Sequence, residues 1–66
     1  EDPQDDGAVV RALASLPRHH REVIYLYYFE GYSTKEIAQL LSTSENTVSS
    51  RLHRARGMLR KLMTEV

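Results

Sequence analysis

The apolar residues of this chain recur at three- and four-residue steps and do not alternate with polar ones, so the pattern predicts helices and no strand. Val9, Val10, Leu13 and Leu16 mark one face of a first helix over residues 6–16. Pro17 ends it and suits the first turn of a second helix over residues 18–30, which Gly31 is expected to stop by taking a left-handed conformation. Ser33 and Glu36 form an S-x-x-E capping box that opens a third helix, with Ile37, Ala38, Leu40 and Leu41 as its apolar side. Ser42 and Thr43 make a turn. Ser44 then caps a fourth helix reaching to about residue 64, and Glu45 places a negative charge in its first turn, where it suits the helix dipole. No internal repeat or low-complexity segment interrupts the series. The expected fold is all-α, a small four-helix domain ending in a short helix, a tight turn and a long helix.

At about 100° per residue the fourth helix has two distinct sides. Val48, Leu52, Ala55, Leu59 and Leu62 share the core side, with Met63 at its edge. Asn46, Ser49, Ser50, His53, Arg54, Gly57, Arg60 and Lys61 lie opposite, and Arg51 and Arg56 flank the boundary. The exposed side opens with small polar residues and becomes basic towards its end. Small side chains let a backbone approach closely, and recognition helices use their N-terminal residues on base edges. The later cations, Arg56, Arg60 and Lys61, are placed to reach phosphates, which makes binding salt-sensitive. A basic face on an ordinary amphipathic helix would be the plain reading. The short capped helix and turn before it favour a helix-turn-helix that binds DNA.

Charge changes the picture only through its distribution. The 66 residues carry nine basic and nine acidic side chains, a net charge of zero. Glu1, Asp2, Asp5 and Asp6 crowd the first seven residues, whereas residues 46–64 hold five cations and no acid. Residues 1–5 read as a solvated acidic linker end, with an arm that shields the basic helix as the competing reading. Residues 6–66 form the domain. The chain opens abruptly with EDPQDDG and without Met, as expected of a piece of a longer protein with further N-terminal domains. At this length the core is thin and no catalytic pocket is walled off. There is no cysteine, hence no disulfide or thiolate metal site, which fits a reducing cytoplasm. No apolar run approaches the roughly 20 residues that span a membrane, and no signal peptide is visible.

The run LPRHHREVIYLYYFEGYSTKEIAQLLSTSENTVSSRLHRARGMLRKL resembles region 4 of sigma-70-type RNA polymerase sigma factors, most closely those of the extracytoplasmic-function group. The Leu16-Pro17 start, the GYSTKEIA block and TVSSRLHRAR carry the resemblance. G-x-S-x-x-E-I-A also occurs in LuxR-type regulators, but the run from Arg51 to Arg56 favours sigma. The resemblance implies recognition of the −35 element of promoter DNA, with the fourth helix in the major groove. It assigns base or near-base roles to Ser49, Ser50, His53 and Arg54, and phosphate-positioning roles to Thr34, Lys35, Thr47 and Arg51. Arg54 suits a guanine edge, since a guanidinium pairs with O6 and N7 together. It further implies docking on the β flap of the RNA polymerase core and, as partner, an anti-sigma factor, in the bacterial cytoplasm. The chain departs from the pattern in three places. Ser49 stands where Lys or Arg is common, Ser42 replaces a frequent turn glycine, and Thr43 replaces a frequent apolar residue.

Other features invite stronger readings. His19 and His20 point about 100° apart on a helix and lack a Cys or carboxylate to complete a metal site, so no metal or other cofactor is expected and solvated or capping roles fit them better. His53 has no such partners either. Tyr25, Tyr27, Tyr28 and Phe29 make the second helix apolar almost all round; the choice lies between core packing with a few half-exposed tyrosines and a docking surface shared with the first helix. Gly57 inside the fourth helix costs about 1 kcal/mol against Ala and reads either as a close approach to a partner or as neutral. No nucleophile–base pair sits at a catalytic spacing, so the chain is not expected to be an enzyme. The alternatives to a sigma domain are a LuxR-like regulator that never touches polymerase and a protein-interaction module held by an inhibitor.

Overall fold

The computed structural model describes residues 4–64. The element order is α1 (Gln4–Ser15), α2 (Arg18–Ile24), a π-helical turn (Tyr25–Phe29), α3 (Thr34–Leu40) and α4 (Glu45–Thr64), with no strand among the described residues. The all-α architecture expected from the apolar spacing is therefore present. The first helix starts earlier than expected. Gln4 and Asp5, assigned to the acidic linker end, are helical, while Glu1, Asp2 and Pro3 lie outside the described residues.

The core is built where three helices meet. Val23 of α2, Ile37 of α3 and Val48 of α4 are fully buried. Each contributes about 1.5–3 kcal/mol by leaving water. Leu13 and Leu16 of the first corner, Ile24, Ala38, Leu52 and Ala55 complete the cluster, with Leu26, Leu41 and Leu59 packed at its rim. The expected core stripe of α4 stops short, because Leu62 and Met63 are exposed. Val9, Val10 and Leu40, also expected on buried faces, are exposed as well.

Local chemistry fixes each corner. Pro17 precedes α2 with φ −56°, ψ 153°, and its carbonyl accepts from Arg21 N at 2.9 Å. Arg21 turns back and donates through Nη1 to the carbonyls of Ala14 (3.4 Å) and Leu16 (3.3 Å). A cation on the orphan carbonyls of a helix end also suits the dipole.

The second helix does not run as one α-helix. Over Tyr25–Phe29 it widens to π winding, and Glu30 N donates to Tyr25 O at 3.0 Å. Gly31 then takes φ 81°, the left-handed stop expected of it. Tyr32 N closes the end on Leu26 O at 3.0 Å, six residues back. The widened turn carries Tyr25, Tyr27, Tyr28 and Phe29 outward, and all four are exposed. The rings are thus half-exposed, as one of the two readings allowed, and none of them is buried in the core. They pack on one another instead, Tyr25 on Phe29 and Tyr27 edge-on to Tyr28, each with centroids 5.0 Å apart.

Candidate nucleic-acid interface

The interface is assembled by two caps and one strained turn. Ser33 Oγ accepts from Glu36 N at 3.1 Å, and Glu36 Oε1 accepts from Ser33 N at 2.8 Å, closing the capping box. Two of the orphan donors at the start of α3 are thereby satisfied. At the far end of this helix Leu41 N donates to Ile37 O (2.9 Å), and Thr43 N reaches back to Ala38 O (2.9 Å). That geometry needs a left-handed residue between them, and Ser42 takes φ 56°, unique among the described non-glycine residues. Ser44 Oγ then accepts from Thr47 N at 3.1 Å and donates to Thr47 Oγ1 at 2.9 Å, which caps α4. A further bond crosses the turn, from Thr34 Oγ1 to Glu45 Oε2 at 3.2 Å, and ties the starts of α3 and α4 together.

With Val48, Leu52 and Ala55 buried, the side of α4 opposite them faces outward. Asn46, Ser49, Ser50, His53, Arg54, Gly57 and Lys61 are exposed, and Thr47 and Arg51 are half-buried at the edge. No side-chain hydrogen bond or ion pair among the described residues engages Ser49, Ser50, His53 or Arg54. Lys35 is exposed at the start of α3 and Thr34 is half-buried beside it. Of the expected site residues, Thr47, Ser50, Arg51 and Arg54 line one cleft, Thr34 is tied to the start of α4 through Glu45, and Ser49 and His53 lie exposed along the first half of α4. Thr34 and Thr47 also serve the fold, through Glu45 and Ser44.

Two of the expected phosphate residues lie elsewhere. Arg56 donates to Tyr28 Oη at 2.9 Å, towards the π-helical turn. Arg56 and Arg60 border a groove floored by Val9, Leu13, Ile24, Phe29 and Leu59. The expected row of cations on α4 therefore divides. Arg54 and Lys61 share the open face, whereas Arg56 and Arg60 rim an apolar groove on its flank. The helical wheel placed Arg56 at the boundary of the two sides but could not show that a tyrosine hydroxyl waits there.

Residues 6–59 match the family described as Sigma-70, region 4. The chain belongs to this family. Region 4 is the helix-turn-helix, DNA-binding part of sigma factors, and the LuxR-like reading is set aside on this match. The chain is 45% identical over 58 residues to the ECF RNA polymerase sigma factor SigL of Mycobacterium tuberculosis, covering 88% of this chain and 33% of that protein. It is 37% identical over 57 residues to the probable RNA polymerase sigma factor RfaY of Xanthomonas campestris pv. campestris, covering 86% of this chain and 14% of that protein. With the RNA polymerase sigma factor SigV of Bacillus subtilis it shares 35% identity over 65 residues, or 98% of this chain and 39% of the relative. This region 4 domain thus spans well under half the length of these relatives.

Sequence reasoning also missed one polar group beside the open face. His20 is only half-buried as a residue, yet both of its ring nitrogens are closed off from solvent and lack a hydrogen-bond partner. It lines a cleft against Asn46, Thr47, Ser50, Arg51 and Arg54 of α4. Nothing in the local sequence signals this, since the contact is between residues some thirty positions apart. Among the described residues no group of three or more His, Cys, Asp or Glu could hold a metal, and no helix is long and apolar enough to cross a membrane.

Proposed function

We propose that this domain reads the −35 element of promoter DNA by laying the open face of α4 in the major groove, and so directs RNA polymerase to initiate transcription. The observation that carries the reading is the state of that face. Ser49, Ser50, His53 and Arg54 are exposed and have no side-chain hydrogen bond or ion pair among the described residues, and they lie in the first half of a helix that is buried on its other side there at Val48, Leu52 and Ala55. Short side chains at Ser49 and Ser50 admit the base edges closely, and Arg54 supplies a planar pair of donors for a guanine. Lys35, Arg51 and Lys61, with the hydroxyls of Thr34 and Thr47, surround this patch as phosphate contacts. Arg56 and Arg60 stand outside it.

The groove between α1, the π-helical turn and α4 supports the second half of the proposal. Val9, Leu13, Phe29 and Leu59 offer an apolar floor, and Arg56 and Arg60 offer cations at its edge. An amphipathic helix with acidic flanks fits that chemistry. The polymerase β flap is the proposed occupant when the domain works, and an anti-sigma factor the proposed occupant when it is silenced. A site of action in the bacterial cytoplasm follows from this role.

The decisive experiment measures binding of the chain to duplexes bearing candidate −35 sequences and to scrambled duplexes, across a salt series. Preference for one sequence with a steep fall in affinity as salt rises is the expected result. Equal affinity for all duplexes would remove base reading from the proposal. Capture of an isolated β flap, lost when Phe29 and Leu59 are replaced by Asp, tests the groove.

A further inference from the structure

We propose that His20 is a phosphate ligand. Its imidazole at the start of α2 takes a phosphodiester oxygen of the same duplex that lies on α4. This rests on the reading of α4 as a DNA-reading helix and adds a contact from outside the helix-turn-helix.

The argument starts from an unmet hydrogen bond. An imidazole carries at least one N–H in every protonation state, and both nitrogens of His20 are shielded from water without a partner. A buried donor left without an acceptor is unfavourable in the free domain. The surroundings define what would relieve it. Arg51 and Arg54 line the same cleft and can only donate. The Thr47 hydroxyl already accepts from Ser44. No carboxylate lines the cleft. The nearest acid on α2, Glu22, is held by Arg18 at 3.2 Å and by His19 at 3.6 Å. Asn46 and Ser50 also carry acceptor oxygens in the cleft, but neither reaches the imidazole. The cleft therefore holds two fixed positive charges with no counter-anion, and an anionic acceptor would answer both them and the imidazole.

Position supplies the identity of that acceptor. Asn46, Ser50 and Arg54 belong both to the cleft and to the open face of α4. A duplex seated on that face would bring its backbone to the cleft that Arg51 and Arg54 line, and the side chains that close off the imidazole must shift for a phosphate to reach it. A phosphate oxygen then receives His20 and the guanidinium together, a pair of charge-assisted bonds. His20 would act as a clamp that fixes the register of α4 in the groove, since phosphate contacts position and base contacts specify.

The test couples the side chain to a single phosphate. The chain, His20→Phe and His20→Gln are titrated at low salt against a −35 duplex and a set in which one phosphate at a time is a neutral methylphosphonate. His20→Phe keeps the ring and loses the donor; His20→Gln keeps a donor on a different frame. Wild type should lose about tenfold in affinity at one methylphosphonate position, corresponding to about 1.4 kcal/mol. His20→Phe should be about tenfold weaker on the unmodified duplex and indifferent to that same position. His20→Gln should retain sensitivity there. The proposal is overturned if His20→Phe binds as tightly as wild type, if it loses as much as wild type at every methylphosphonate, or if His20→Gln is as indifferent as His20→Phe. Wild type that binds the duplex while these couplings are missing leaves the DNA-reading role standing. Wild type that binds no duplex at low salt overturns both.

Discussion

Arg56 Nη1 donates to the phenolic oxygen of Tyr28 at 2.9 Å, joining two residues 28 positions apart in the chain. The bond ties the middle of α4 to the π-helical turn and holds a cation at the edge of the apolar groove. Tyr28→Phe removes the acceptor and leaves the ring. Both partners are exposed, so the loss should be small, about 0.5 kcal/mol in urea unfolding. Arg56→Ala should match it and leave the salt slope of DNA binding unchanged. A slope reduced by about one would return Arg56 to the phosphate-contacting set.

Ser42 occupies φ 56° in the turn between α3 and α4. A left-handed conformation costs an L-residue other than Gly roughly 1–2 kcal/mol. Glycine recovers that strain but loses more entropy on folding, about 0.4–1 kcal/mol. Ser42→Gly should therefore stabilise the domain by about 0.5–1 kcal/mol. For a domain of this size that is a rise of several degrees in Tm, readable by circular dichroism. No gain, or a loss, would mean that the Ser42 side chain relieves the strain in a way the hydrogen bonds do not reveal.

What the sequence disclosed divides along the range of the interactions involved. Ser33, Glu36, Ser44 and Gly31 announce their helix ends because caps and left-handed stops are settled within four residues. The pattern does not single out Val23, but the burial of Ile37 and Val48 follows from helical spacing. So does the outward side of α4, since a core-facing stripe fixes its opposite. Spacing overstates burial at Val10 and Leu62, which share the periodicity of the core residues yet are exposed. The π winding at Tyr25–Phe29 has no local signature, and its rings were legible only as apolar. The surroundings of Arg56 and His20 were not legible because they come from other helices: a tyrosine hydroxyl in one case, a cleft against α4 in the other.

The capping box at α3 is mutual, so removing one half should expose two backbone donors in succession. Ser33→Ala deletes the acceptor for Glu36 N and loosens the return bond from Glu36 to Ser33 N. The expected cost is about 1 kcal/mol, seen as a lower urea midpoint at constant m-value. A box that mattered only for orienting α3 against DNA would show unchanged stability with weaker duplex binding.

Arg54 and Lys61 both project from the open face of α4, yet they should fail differently. Arg54→Ala should cost about 1–3 kcal/mol on the preferred duplex and little on a scrambled one, collapsing sequence preference. Lys61→Ala should weaken all duplexes alike and lower the salt slope by about one. Anisotropy titrations at three salt concentrations separate the two outcomes. A uniform loss in Arg54→Ala would place Arg54 on phosphate and shift base reading to Ser49, Ser50 and His53.

Gly57 lies on the open face of α4, and a Cβ built there meets nothing within 4 Å. The glycine is therefore not required by packing within the domain, and its φ gives no reason for it. Gly57→Ala should stabilise the helix interior by about 1 kcal/mol through propensity alone. Its effect on DNA locates the end of the footprint. With base reading confined to residues 49–54, a methyl one turn further along touches nothing, and duplex affinity should stay within about twofold of wild type, well below 1 kcal/mol. A tenfold loss of affinity in a more stable protein would instead bring the DNA backbone against Gly57 and make close approach the reason a glycine stands there.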